Sequence, residues 1–98
     1  MNNKEILRKK MDRLVAEVGA AKGLVDTAEA DYLEKYKNGM ETVIRLIDSD
    51  SIPASEGGVI GATSGLSESS KLASLINLYD AAADVDLYYS QNCKTWAV

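Results

Sequence analysis

The stretch best suited to chemistry is "GVIGATSG", residues 58–65. Its glycines at 58, 61 and 65 lead through Thr63 and Ser64 toward a helix start at Ser67. Backbone amides in such a turn, next to a helix N-terminus, suit an anion. Gly58, Gly61, Thr63, Ser64, Gly65 and Ser67 are therefore the candidate loop for a ligand or a partner. A P-loop would add a lysine followed by Ser or Thr, and would follow a strand. Neither condition is met, so the phosphate-cradle reading ranks below a flexible connector and below a protein contact. Val59 and Ile60 favour a loop that folds back onto the body of the protein.

Carboxylates are the second chemical group. Asp80 and Asp84 lie one helical turn apart, with Asp86 close by. Oxygen ligands of this kind suit Mg²⁺ or Ca²⁺, but Ca²⁺ takes six or more oxygens, which one helix face does not supply. A solvated acidic face is the expected reading, and no metal site is assigned. Asp86 differs from the other two. It falls on an apolar seam, where a polar residue fixes register or partner number at a cost in stability. Lys22, Lys35 or Arg45 would supply its counter-charge. A slight rotation of the helix would instead turn Leu87 inward and Asp86 to water.

Much catalytic chemistry is missing. The chain has no histidine, which removes the commonest general acid–base, the commonest metal ligand and every His-based triad. The serines in "GLSES" and "ATSGL" do not match the nucleophile-elbow pattern. Cys93 is the single cysteine, so an intrachain disulfide is excluded and a thiolate zinc site is not expected. The chain is accordingly read as a non-enzyme with no cofactor.

The elements that must carry these residues are helical. Leu7, Met11, Leu14, Val18, Ala21, Val25, Ala28 and Tyr32 alternate in steps of four and three, a heptad seam. Asn2 with Glu5 resembles a capping box at its start. Tyr36, Met40, Val43 and Ile47 continue the stripe after a four-residue stutter. Gly19 and Gly23 leave the phase intact, so one helix is expected over 3–48, with Asn38-Gly39 as the candidate break. A Gly/Ser-rich connector follows over 49–65. A second helix is expected over 67–96, with the seam Leu72, Leu75, Tyr79, Ala82, Asp86, Tyr89, Cys93 and Trp96. A neighbouring stripe of Ile76, Leu78, Ala83, Val85 and Leu87 widens its apolar arc, as befits a helix touching two or three neighbours.

Charge is uneven. The head, residues 1–13, holds Lys4, Arg8, Lys9, Lys10 and Arg13 against two acids, while the remainder carries six basic and thirteen acidic side chains. An acidic surface repels phosphate backbones, so nucleic-acid binding is disfavoured. Arg8, Lys9, Lys10 and Arg13 form the one candidate basic patch. No apolar run reaches the length of a membrane span. The opening "MNNKEILRKKMDRL" lacks the apolar core of a signal peptide. A cytoplasmic location is expected.

The fold class expected is all-α: a single domain over 1–98 folded as a long antiparallel helical hairpin. Two helices cannot enclose a core, so a homo-oligomeric bundle is the preferred assembly. A three-helix monomer broken at Asn38-Gly39 is the other option. The oligomer interface would use Leu7, Met11, Leu14, Val18, Val25 and Tyr32 from the first helix. Leu75, Leu78, Tyr79, Val85, Tyr89 and Trp96 would come from the second. The function expected is a non-catalytic protein-interaction module: adaptor, inhibitor or assembly component. The alternative is an oligomeric binder of a small anionic metabolite or nucleotide, held by loop amides and by inter-subunit Tyr and basic side chains.

Overall fold

The computed structural model describes residues 3–67 and 69–94. The regular structure among the described residues is helical, with no strand. The helices are α1 (Asn3–Ala21), α2 (Thr27–Asp48), α3 (Ala62–Ser67), α4 (Ser70–Ala73) and α5 (Ile76–Asn92). A single 3₁₀ turn, Lys22–Leu24, separates α1 from α2.

The continuous helix expected over 3–48 is broken, and the break falls at residues 22–26 instead of Asn38-Gly39. As one rod that segment would span about 69 Å, yet the longest dimension of the molecule is 45 Å. The local cause is legible. Val25 is fully extended, and Asp26 caps α2, its carboxylate accepting from the Glu29 amide at 2.9 Å. Asp26 with Glu29 three residues on is a capping-box spacing, and such a cap contributes about 1 kcal/mol. Gly23 had already made helix continuation costly by a similar amount. Asn38 and Gly39 sit inside α2, both on its exposed side.

The restart shifts the phase of the stripe. Leu33, Tyr36, Met40 and Ile47 point inward, whereas Tyr32 moves to the surface. α2 runs antiparallel to α1, so Arg8 reaches Asp48 near one end and Lys22 reaches Glu34 near the other. α2 ends in a Schellman motif. The amide of Ser51 donates to Leu46 O and that of Asp50 to Ile47 O, with Asp50 in the left-handed conformation glycine usually takes.

α5 is also antiparallel to α1, with Asn3 reaching the carbonyl of Asn92 and Lys10 reaching Asp84. It is therefore parallel to α2. A parallel pair needs a crossover along the length of the bundle, and this is why the link is long. The second helix expected over 67–96 is cut into α4 and α5, and α3 begins inside the connector expected over 49–65. Ser69 caps α4, its hydroxyl accepting from Leu72 N, and Leu75 is extended before α5 begins. The core is continuous: Leu7, Met11, Leu14 and Val18 from α1 close against α2 and α5, with Leu66 and Leu72 from the crossover.

If the break lies at 22–26, Asp26→Ala costs about 1 kcal/mol of stability. Gly39→Ala stabilises by about 0.5–1 kcal/mol, because a Cβ there meets nothing within 4 Å. Urea titration of both variants reads the two signs. Opposite signs would place the break at Gly39.

Candidate functional site

The Gly-rich turn holds an anion, and the anion belongs to the same chain. Gly61 adopts a positive φ of 93°, which aims successive amides to one side. Asp86 Oδ1 accepts from the amides of Gly61 (3.0 Å) and Ala62 (3.1 Å). Oδ2 accepts from the amide and the hydroxyl of Thr63, both at 2.9 Å. Asp86 thus lies on the inner seam of α5, only 5% exposed, while Leu87 faces water. Its partners are these four donors, not Lys22, Lys35 or Arg45. An ionised carboxylate out of water needs such donors, and the first amides of a helix need such an acceptor.

Tyrosines fasten the rest of the crossover. Tyr36 donates to Ala62 O at 2.8 Å, Tyr89 to Pro53 O at 2.6 Å, and Tyr32 to Gly65 O. Ser90 donates to Gly57 O, and the Ser55 amide to Cys93 O. Residues 53–63 therefore form an ordered strap along α5. Gly65 passes so close to Tyr36 that a Cβ would stand 2.9 Å from the ring. Ser64 and Ser67 bond the carbonyls of Gly61 and Thr63, and Gly58 bonds Ser55. In all six loop residues the polar atoms that form these bonds serve the fold.

Two members of the basic patch, Arg8 and Lys10, are similarly committed. Arg8 pairs with Asp48 and Asp12, Lys4 with Asp50, and Lys10 with Asp84 while lying 5.2 Å from the centre of the Tyr88 ring. Lys9 and Arg13 are exposed. The expected interface seam is mostly internal. Leu7, Met11, Leu14, Val18, Leu78, Val85 and Tyr89 are buried within the chain, and Val25, Leu75 and Tyr79 are partly so. The break at 22–26 is the reason: three long helices enclose a core that two could not. Trp96 lies outside the described residues. Among the described residues no group of three His, Cys, Asp or Glu is placed to hold a metal ion, and no helix is long and apolar enough to cross a membrane.

What stays open is the outer side of α5. Ile76 is 72% exposed, Leu24 66% and Leu87 57%. Val59, on the strap between the bonds to Ser90 and Asp86, is 60% exposed. Leu24 and Ile76 flank a groove of about 400 Å³ between the end of α1 and the start of α5, floored by Ala21, Leu75 and Leu78. The sequence signal for this face was the broad apolar arc of the last helix. Leu78 and Val85 supply its inner edge, and Ile76 and Leu87 supply an outer edge that is more than half exposed.

Asp86→Ala leaves three amides and a hydroxyl without their acceptor, and is expected to cost about 2–4 kcal/mol. Asp86→Asn, which keeps one acceptor oxygen but turns an amino group toward donors, falls in between. Urea midpoints order the three proteins, and equal midpoints would deny the interaction its weight. Burial, reinforced by the Asp86 charge, pushes the Tyr36 phenol well above the ordinary tyrosine value. Burial also raises Tyr88, Tyr89 and Cys93. In the unfolded chain these groups ionise at about 8.5–10; in the folded chain they hold their protons longer. The folded state then binds more protons, so stability is full below about pH 8.5 and falls as pH rises. Denaturation midpoints between neutral and alkaline pH check this, and Tyr36→Phe should flatten part of the decline.

No protein-family model matches this chain, and comparison with curated proteins and with solved structures finds no match.

Proposed function

We propose that the chain is a non-catalytic protein-interaction module whose contact surface is the outer face of α5 with its adjoining groove. One observation carries this reading. Among the described residues Ile76, Leu24, Leu87 and Val59 are the four most exposed of the large apolar side chains, and all lie on α5, on the strap along it, or on the groove at its start. Exposed apolar residues scattered singly need no explanation, whereas a concentration of them on one face marks an interaction surface. An adaptor, an inhibitor and an assembly component would all use such a face.

The homo-oligomer expected from the heptad seam loses the seam as its cause, since those residues close inside one chain. A second copy would have to use the α5 face instead. The alternative of an anionic small ligand at the loop amides loses its donors, because Asp86 occupies them.

Site-specific photo-crosslinking in cells of the organism that makes the chain tests the reading. A benzophenone side chain at Ile76 is expected to capture a protein that the same group at Asn38, on the exposed side of α2, does not. Indistinguishable adducts at the two positions would contradict it.

A further inference from the structure

We propose that this face binds a cationic amphipathic helix. The inference rests on the interaction reading above and names the partner's chemistry. At 100° per residue, Ile76, Asp80, Ala83 and Leu87 fall within an arc of about 60° and span about 16 Å, three turns of α5. Ile76, Asp80 and Leu87 are exposed and Ala83 is half-buried. A stripe of this length and spacing matches a helix whose apolar residues recur every three or four positions.

The charge on the helix that carries the stripe is of one sign. α5 contains three aspartates and no lysine or arginine. Asp86 is spent inside on the strap, and Asp84 is held by Lys10. Among the described residues Asp80, in the middle of the exposed stripe, has no ion-pair partner, and Glu17, beside the groove, likewise has none. No cation lines the groove. The surface is thus apolar with acidic points, and its complement is apolar with basic points. A second copy is a poor complement. A two-fold pairing through this stripe brings Asp80 toward Asp80 of its mate, and like charges across an interface are costly.

The test uses the full chain and two synthetic peptides of about 18 residues, five turns each. Both carry Leu at helical spacing; one has Lys at every remaining position and the other Glu. The Leu/Lys peptide is expected to bind at least about tenfold more tightly than the Leu/Glu peptide. It should shift amide resonances of residues 76–87 and 17–24. Asp80→Lys, an exposed change that leaves the melting temperature in place, should reverse the preference. The double variant Ile76→Ser, Leu87→Ser should weaken both peptides, and Leu46→Ser on α2 should weaken neither. Equal binding of the two peptides, absence of binding, or shifts elsewhere on the surface would overturn the proposal. So would a dimer in sedimentation that the Ile76→Ser, Leu87→Ser variant dissociates, since a second copy would then occupy the face. A protein crosslinked at Ile76 through a segment lacking basic residues would refute the charge assignment alone. No specific crosslink at Ile76 would remove the interaction reading beneath it.

Discussion

A single carboxylate organises this molecule. Asp86 stands on the inward side of α5, where an ionised group survives only if strong donors replace water. The donors are the amides that open α3, together with the Thr63 hydroxyl. Each side therefore removes the other's desolvation cost. The consequence reaches well past four hydrogen bonds. With its start pinned at Asp86 and Tyr36, α3 sits between α2 and α5 and buries Ala62 and Leu66. The strap before it lies along α5, and the chain is delivered to the far end of the bundle, where α5 can begin. The parallel arrangement of α2 and α5, and with it the closure of the core, follows from that delivery.

The seams were legible, and their topology was not. Heptad spacing correctly marked Leu7, Met11, Leu14 and Val18 as one face, because a helix turns every residue by a fixed angle whatever it packs against. The same regularity concealed the break at 22–26. A tight turn of nearly one helical repeat preserves spacing on paper, so Val25 looked like the next seam position when it is extended backbone. The cap Asp26-Thr-Ala-Glu29 was the signal that could have exposed the turn. Asn38-Gly39 misled for the opposite reason: glycine's preference for turns is weak beside the burial of Tyr36 and Met40 on the other side of the same helix. Which partner covers a buried carboxylate was not readable from either segment. The anion-holding reading of residues 58–65 ranked below a flexible connector, and the inward placement of Asp86 stood beside that of Leu87; only the tertiary fold shows that the turn and the carboxylate answer one another.

That internal pairing shapes the functional reading. A Gly-rich turn, a basic head and a polar residue on a seam each suggested an external ligand or another copy. In the folded chain all three are largely spent on the fold: the turn on Asp86, Arg8 and Lys10 on carboxylates of α2 and α5, the seam on the core. The most exposed large apolar side chains among the described residues lie on the outer side of α5 or beside it, with Asp80 among them. The widened apolar arc of that helix has its inner edge packed against the rest of the bundle and its outer edge in water. A helix with both edges apolar suits neighbours on both sides, and among the described residues the outer edge stays largely exposed. Polar chemistry in this molecule holds the structure together, and the apolar surface it leaves bare on α5 is the one we propose for recognition.

Amide hydrogen exchange in the unmodified protein, read at Gly61, Ala62 and Thr63, tests most directly whether the Asp86 grip exists in solution. If the carboxylate holds these amides, they exchange at least about a hundredfold more slowly than unstructured peptide and open together with α5. Exchange of all three at the unstructured rate, with α1 and α5 still protected, would show an ungripped crossover and contradict the account.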